Sequence, residues 1–172
     1  MKNKIYFNWS TGKDSALALY EILQDKRFEV GHLLTSVNAH FDRVSMHGLR
    51  RSLLMQQCES IGIPFSTIEL PEKPTMPEYD QLMMGTVSKL KAKGFKHAGF
   101  GDIFLEDLRK YREEKLSELD IKAHFPLWKS DTFKLPKRFF IEFKRFIVAY
   151  LKAIQLFISN KRFCDFVILS VS

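Results

Sequence analysis

The stretch Ile5-Tyr-Phe-Asn-Trp-Ser10-Thr-Gly-Lys-Asp-Ser15 constrains this chain more than any other. Ile5, Phe7 and Trp9 read as a buried strand, which the turn residues Ser10 and Gly12 end. Ala16, Leu17, Leu19, Tyr20 and Leu23 then recur at helical spacing. A helix that starts straight after a strand leaves its first backbone N–H groups pointing at one spot, with the positive end of the helix dipole behind them. Such an end is a cradle for phosphate. Gly12 lets the backbone approach a ligand closely, Lys13 supplies a point charge, and Ser10 and Ser15 supply hydroxyls. The loop is not a Walker A motif, which requires two glycines at its own spacing and Ser or Thr directly after the Lys; here Asp14 follows Lys13. An acid inside an anion site makes sense if a divalent cation arrives with the phosphates, and Asp14 is placed to hold or orient it. On loop chemistry alone, an ordinary strand–turn–helix connection with solvated Lys13 and Asp14 competes on equal terms.

Three motifs in order change that balance. Ser10-Thr-Gly-Lys-Asp-Ser15 resembles the S-G-G-K-D-S signature of the PP-loop (N-type) ATP pyrophosphatases, with Thr11 where Gly or Ser is usual. Val44-Ser-Met-His-Gly-Leu-Arg-Arg51 and Gly101-Asp-Ile-Phe-Leu-Glu-Asp-Leu-Arg-Lys-Tyr-Arg112, with Phe125-Pro-Leu-Trp128 behind, narrow the likeness. Together they resemble the diphthine–ammonia ligase-like family over residues 4–132. The resemblance implies a Rossmann-like, adenine-nucleotide alpha-hydrolase-type α/β domain. It implies cleavage of ATP between its α and β phosphates, adenylation of an acceptor carboxylate, and displacement of AMP by ammonia to give an amide. ATP and Mg²⁺ are the implied cofactors. The family's acceptor is diphthine, the modified histidine of elongation factor 2; a bacterial source would require a different acceptor.

The resemblance also distributes roles. Ser10, Thr11, Gly12, Lys13, Asp14 and Ser15 would hold the phosphates. Ser36, His47, Arg50 and Gly101 would join them around the nucleotide. Asp102, Glu106 and Arg109 would serve the acceptor or the metal, with Asp14 and Asp102 as the magnesium candidates.

The remainder of the chain supplies the frame. Strand candidates at residues 30–37, 65–70 and 96–101 alternate with helices at about 15–26, 78–93 and 104–119. A further helix, opened by Met46-His47-Gly48 after a polar connection at 38–45, runs to about Ile61, and Gly62-Ile-Pro64 stops it. Gly94 closes the helix before it, and residues 121–128 return to the sheet. This alternation predicts a parallel sheet covered on both faces, with ligands beyond the carboxyl ends of the strands. The phosphate loop, Ser36, the Met46–Arg51 turn and Asp102 all follow strands, so one site can gather them.

Each candidate has a plainer competitor. His47 beside Gly48 suits a helix cap or a loop histidine as well as a nucleotide contact. Arg50 and Arg51 fall in the first turn of a helix, where a cation is unfavourable without an anion nearby. A phosphate contact is the expectation for Arg50 and a solvated face for Arg51. Asp102, Glu106 and Arg109 would share one helical face; charge pairing such as Arg109 with Glu113 competes. Trp9 is expected in the core, while for Trp128 core and adenine stacking stay open.

Composition bounds what is left. The 172 residues suit one domain with an ordinary core. Cys58 and Cys164 stand far apart, with no C-x-x-C, so a disulfide framework or zinc site is not expected and a cytoplasmic protein is. No charged-then-apolar leader precedes the first strand. Of the net charge of +7, residues 132–172 carry eight Lys and Arg against two acids, which is +6, leaving +1 for the preceding 131 residues. A basic nucleic-acid face is therefore not expected, which counts against a transfer-RNA-modifying PP-loop enzyme. A homo-oligomer is compatible with the sequence.

The expected division is a PP-loop domain at 1–131 and an atypical tail at 132–172, which holds half of the sixteen phenylalanines. The family's glutamate-rich acceptor-side motif has no counterpart there. A frameshift or premature end is the favoured expectation. An amphipathic helix built on Phe139, Phe143, Phe146 and Tyr150 is the second, and a membrane-surface helix the third. With that half missing, a catalytically inactive ATP-binding remnant is the rival function.

Overall fold

The computed structural model describes residues 2–131 together with 134, 135 and 137. The chain divides into two units, Met1–Lys129 and Ser130–Ser172, and the elements below all belong to the first. The amphipathic helix expected in the tail lies outside the described residues.

Ten elements follow in order: β1 (Asn3–Asn8), α1 (Lys13–Gln24), β2 (Phe28–Asn38), β3 (Arg43–Val44), α2 (Arg51–Ile61), β4 (Phe65–Leu70), α3 (Met76–Ala92), β5 (His97–Gly99), α4 (Glu106–Ser117) and β6 (Lys122–His124). Five strands are parallel, in the order β4-β2-β1-β5-β6. The order reverses at β1: the chain builds β2 and β4 on one side, then returns to add β5 and β6 on the other. Ligands in such sheets bind at that reversal, beyond the strand ends. The expected Rossmann-like parallel sheet flanked by helices is the fold found.

β1 is the centre because it can be buried on both faces. Ile5, Tyr6 and Phe7 are each 0% exposed, the continuous apolar run of a central parallel strand. On one face α1 packs through Leu17, Ala18, Leu19 and Ile22. Gly99 makes that approach possible, since a Cβ there would lie 2.6 Å from Ile22 Cδ1 and 2.7 Å from Phe7 Cδ2. On the other face Tyr6, Leu34, Ile68, Val87, Leu90, Phe100, Leu116 and Ile121 form one core under α3 and α4.

Three boundaries differ from the sequence reading, each for a local reason. α2 starts at Arg51, not at Met46–Gly48, because Gly48 takes a left-handed conformation (φ +62°). Its N–H bonds the Val44 carbonyl at 2.9 Å, while the Val44 N–H bonds the Leu49 carbonyl at 2.8 Å. That turn supports β3, which pairs antiparallel with β2 at Val37 and Asn38, within the stretch whose sequence predicts a polar connection. α3 begins early, at Met76, because Thr75 and Glu78 form a capping box. α4 begins late, at Glu106, which leaves Asp102 to Leu105 outside the helix. Arg51 is not simply solvated: it is held by Glu69 at 2.6 and 2.8 Å and by Asp42 at 2.5 Å, tying α2 to β4.

Three histidines couple this sheet to pH. His97 Nδ1 and His124 Nε2 lie 2.8 Å apart on β5 and β6, and His32 Nε2 lies 2.8 Å from Ser66 Oγ. Burial lowers all three pKa values, helped by Lys122 and Lys96 near His97, by His97 and Arg27 near His124, and by Lys93 near His32. Asp25 opposes the shift at His124 without reversing it. The unfolded imidazoles, near 6.5, therefore bind protons before the folded ones do. Their contribution is present above about pH 6.5 and is lost as pH falls. Urea unfolding at pH 7.5 and 5.5 should show lower stability at the acid value and a shallower slope in a His97→Gln, His124→Gln variant. An unchanged slope would remove the pair as its source.

Among the described residues, no helix is long and apolar enough to cross a membrane.

Candidate active site

The loop after β1 is shaped from both sides. Trp9 is 6% exposed, as expected of a core residue; its N–H bonds the Leu34 carbonyl at 2.9 Å, and its Nε1 donates to Gln57 Oε1 at 3.2 Å. Thr35 Oγ1 donates to the Trp9 carbonyl at 2.7 Å. The Ser10 N–H donates to the buried Ser15 Oγ at 3.1 Å, which closes the loop on itself. Thr11 sits at φ +68°, a left-handed conformation that costs a β-branched residue free energy and that glycine adopts freely. Gly12 is the N-cap of α1 and brings no side-chain acceptor, so the first-turn amides after it keep their donors for another partner.

Two glycines set the close approaches around this cradle. A Cβ at Gly101 would lie 2.9 Å from Ser15 Cα and 3.0 Å from Ser15 N, so only glycine lets the β5–α4 loop reach the start of α1. A Cβ at Gly12 would lie 3.0 Å from His47 Nε2, so the imidazole overhangs the cradle. Lys13 and Asp14 pair at 2.7 Å on its exposed rim. Above all of this opens a cleft of about 1000 Å³ at the reversal of strand order. Ser10, Gly12, Lys13, Asp14, Ser15, Ser36, His47, Gly101 and Asp102 line it.

The cluster Asp102–Glu106–Arg109 is not brought together, and this corrects the shared-face expectation. Because α4 starts at Glu106, Asp102 precedes the helix and helical spacing does not relate the two. The Asp102 carboxylate pairs with Arg112, whose guanidinium lies 4.5 Å above the Phe100 ring. Glu106 pairs with Lys129 at 3.3 Å, and Arg109 with Glu113 at 2.8 Å. Arg109 also covers the rings of Phe125 at 5.0 Å and Trp128 at 4.6 Å, so Trp128 faces Arg109 and not the cleft. Arg50 is exposed, in extended backbone before α2, and is not among the residues lining the cleft.

The pattern that describes the diphthamide synthase N-terminal domain matches residues 3–123. This chain belongs to that family. It is a PP-loop domain of the superfamily whose members are ATP-utilising enzymes. Among solved structures it is similar to the U34-tRNA thiolase NcsA from Methanococcus maripaludis, solved with its iron–sulfur cluster. The identity is 16% and the TM-score 0.46, over 78% of this chain and 55% of the thiolase. The chain thus spans about half the length of that enzyme. No curated protein matches it.

In this diphthamide synthase domain, the wall that sequence reasoning missed comes from α3 and α4. Tyr79 and Asp80 face Tyr111, Arg112 and Lys115 across the cleft. The Tyr111 hydroxyl donates to Asp80 Oδ1, and Lys115 Nζ pairs with Asp80 Oδ2 at 3.0 Å. The Tyr111 bond holds the Asp80 carboxyl below its usual range, with Lys115 adding to the effect. Asp80 in turn raises the Lys115 ammonium. The available signal was the spacing of Leu108, Tyr111, Arg112 and Lys115, which recur on one face of α4.

No group of three or more His, Cys, Asp or Glu side chains suited to a metal occurs among the described residues. Asp14 and Asp102 nevertheless line one cleft with the uncapped first turn of α1, a donor set that fits a phosphate-bound Mg²⁺ held by few protein ligands.

Proposed function

We propose that this domain cleaves ATP between its α and β phosphates to adenylate an acceptor carboxylate, which ammonia then converts to an amide. The observation that carries the reading is the uncapped start of α1, beneath His47 and against Gly101, at the reversal of strand order. Its free amides and Lys13 suit the two phosphates that leave. A carboxylate oxygen of the acceptor attacks the α-phosphorus, the bond to the bridging oxygen breaks, and pyrophosphate departs with the electron pair. Ammonia then attacks the acyl carbon, AMP leaves, and a carboxylate accepts the surplus proton. Preorganised donors and charge, with no covalent nucleophile, are enough for this chemistry. Mg²⁺ would supply charge neutralisation at the phosphates, with Asp14 as its protein ligand, while Asp102 stays paired with Arg112.

Asp102, aligned by Arg112, replaces the Asp102–Glu106–Arg109 trio as the acceptor-side group, since Glu106 and Arg109 are engaged elsewhere. The acceptor is diphthine of elongation factor 2 if the source is archaeal or eukaryotic, and another carboxylate otherwise. The test is product analysis with labelled Mg·ATP, ammonium and candidate acceptors. AMP and pyrophosphate should form only when an acceptor is present. ADP and phosphate as products would sink the reading. Binding of ATP with no AMP from any acceptor would reduce the chain to a nucleotide-binding domain.

A further inference from the structure

Between α3 and α4 the cleft has a chemistry that phosphate binding does not use. Met76, Tyr79, Met83 and Met84 of α3 face Leu108 of α4, and Tyr6 of β1 lies at the floor. Tyr79 and Met83 pack against the core cluster that contains Tyr6. Tyr6 is 0% exposed; the Asn8 side chain approaches its oxygen as a donor would, and the hydroxyl hydrogen has no acceptor of acceptable geometry. No other buried side-chain polar atom among the described residues is left this way. An unpaired buried hydroxyl costs folding free energy, and phenylalanine would fill the same space without that cost. Burial also raises the phenol's pKa, so the group remains a donor at any ordinary pH.

The charges near this floor are already matched. Asp80 is taken by Tyr111 and Lys115, and Asp102 by Arg112. What remains is apolar surface, flexible methionines able to repack around a guest, and one unused donor.

We infer that this compartment receives an apolar or aromatic portion of the acceptor, and that Tyr6 Oη donates a hydrogen bond to a carbonyl-type oxygen on it. The inference rests on the adenylation reading for the word acceptor. The substrate class is then a carboxylate borne on an apolar framework that carries a hydrogen-bond acceptor of its own. The framework lies between α3 and α4 while the carboxylate reaches the phosphate cradle. Tyr6 is a specificity-determining residue in this scheme, with no part in the bond changes.

The probe is prodan, an uncharged naphthalene ketone whose emission moves to longer wavelength when its carbonyl accepts a hydrogen bond. It is titrated into the full chain with and without Mg·ATP, and each protein's thermal midpoint is recorded with and without Mg·ATP. The wild-type chain should bind one prodan at a time, with Mg·ATP present or absent. Tyr6→Phe should weaken prodan by roughly two- to tenfold, the range for one neutral hydrogen bond, and shift its emission to shorter wavelength. The same variant should unfold at or above the wild-type temperature, because it loses an unpaired hydroxyl. Met83→Trp should fill the compartment and abolish prodan binding while Mg·ATP stabilisation persists; if it does not fold, Tyr6→Phe decides alone.

Unchanged affinity and emission in Tyr6→Phe would overturn the proposal. Displacement of prodan by Mg·ATP would also overturn it, by assigning the compartment to the nucleotide base. A wild-type chain that shows no response to Mg·ATP would defeat the nucleotide reading and the acceptor assignment together. Loss of the prodan result alone would leave the nucleotide reading intact.

Discussion

Mg·ATP should stabilise this chain, and replacing Lys13 with Ala should remove that stabilisation. A ligand that binds only the native state, at a hundred times its Kd, contributes about 2.7 kcal/mol. For a chain of this size that raises the unfolding midpoint by roughly 5–10 °C. Lys13 is 75% exposed and, among the described residues, paired only with Asp14, so losing it should change the ligand-free midpoint little. The whole difference should then fall on the complex, in which the proposed function sets the ammonium against the phosphates at the uncapped turn of α1. The measurement is thermal unfolding of both proteins with and without Mg·ATP. A wild-type shift that survives in Lys13→Ala would place the phosphates elsewhere, and no shift in the wild type would sink the nucleotide claim.

Gly101→Ala should damage both stability and binding, because the three atoms nearest its methyl are all backbone. The new Cβ would lie 2.9 Å from Ser15 Cα, 3.0 Å from Ser15 N and 3.3 Å from the Asp14 carbonyl carbon. A side chain could rotate aside; the first turn of a packed helix cannot. Either α1 or the β5–α4 loop must shift, at a cost of about 1–3 kcal/mol. The midpoint should fall by roughly 2–12 °C, and the Mg·ATP shift should shrink because the cradle itself has moved. Gly99→Ala provides the comparison: its contacts are the side chains of Ile22 and Phe7, away from the cradle, so it should lose stability but keep the Mg·ATP shift. Equal responses in the two variants would show that Gly101 is an ordinary packing position.

The sequence alone shows what the chain settles locally. A strand, a turn with Gly12 and a helix within fifteen residues define the cradle through neighbouring backbone groups alone, so Ser10 to Ser15 were legible. The alternation of strands and helices likewise announced a parallel sheet, since each element shows its own periodicity. The placements that differ from expectation depend on tertiary pairing and on local backbone conformation. Asp102 precedes the helix whether it starts at 104 or at Glu106, so helical spacing does not fix its partner, and tertiary packing brings it to Arg112. A left-handed Gly48 decides whether Arg50 opens a helix or stays in extended chain away from the cleft.

By itself, then, the sequence determined the family, the sheet class and the strand–turn–helix loop after β1, because each rests on residues a few positions apart. Only the tertiary structure decided which acid stands opposite that loop, that α3 contributes Tyr79, Asp80 and its methionines to the same cleft, and that Tyr6 is buried with its hydroxyl unspent. Those relations join residues on β1, α3 and α4 that are dozens of positions apart. No local propensity encodes them; they follow from how two helices pack across one face of the sheet.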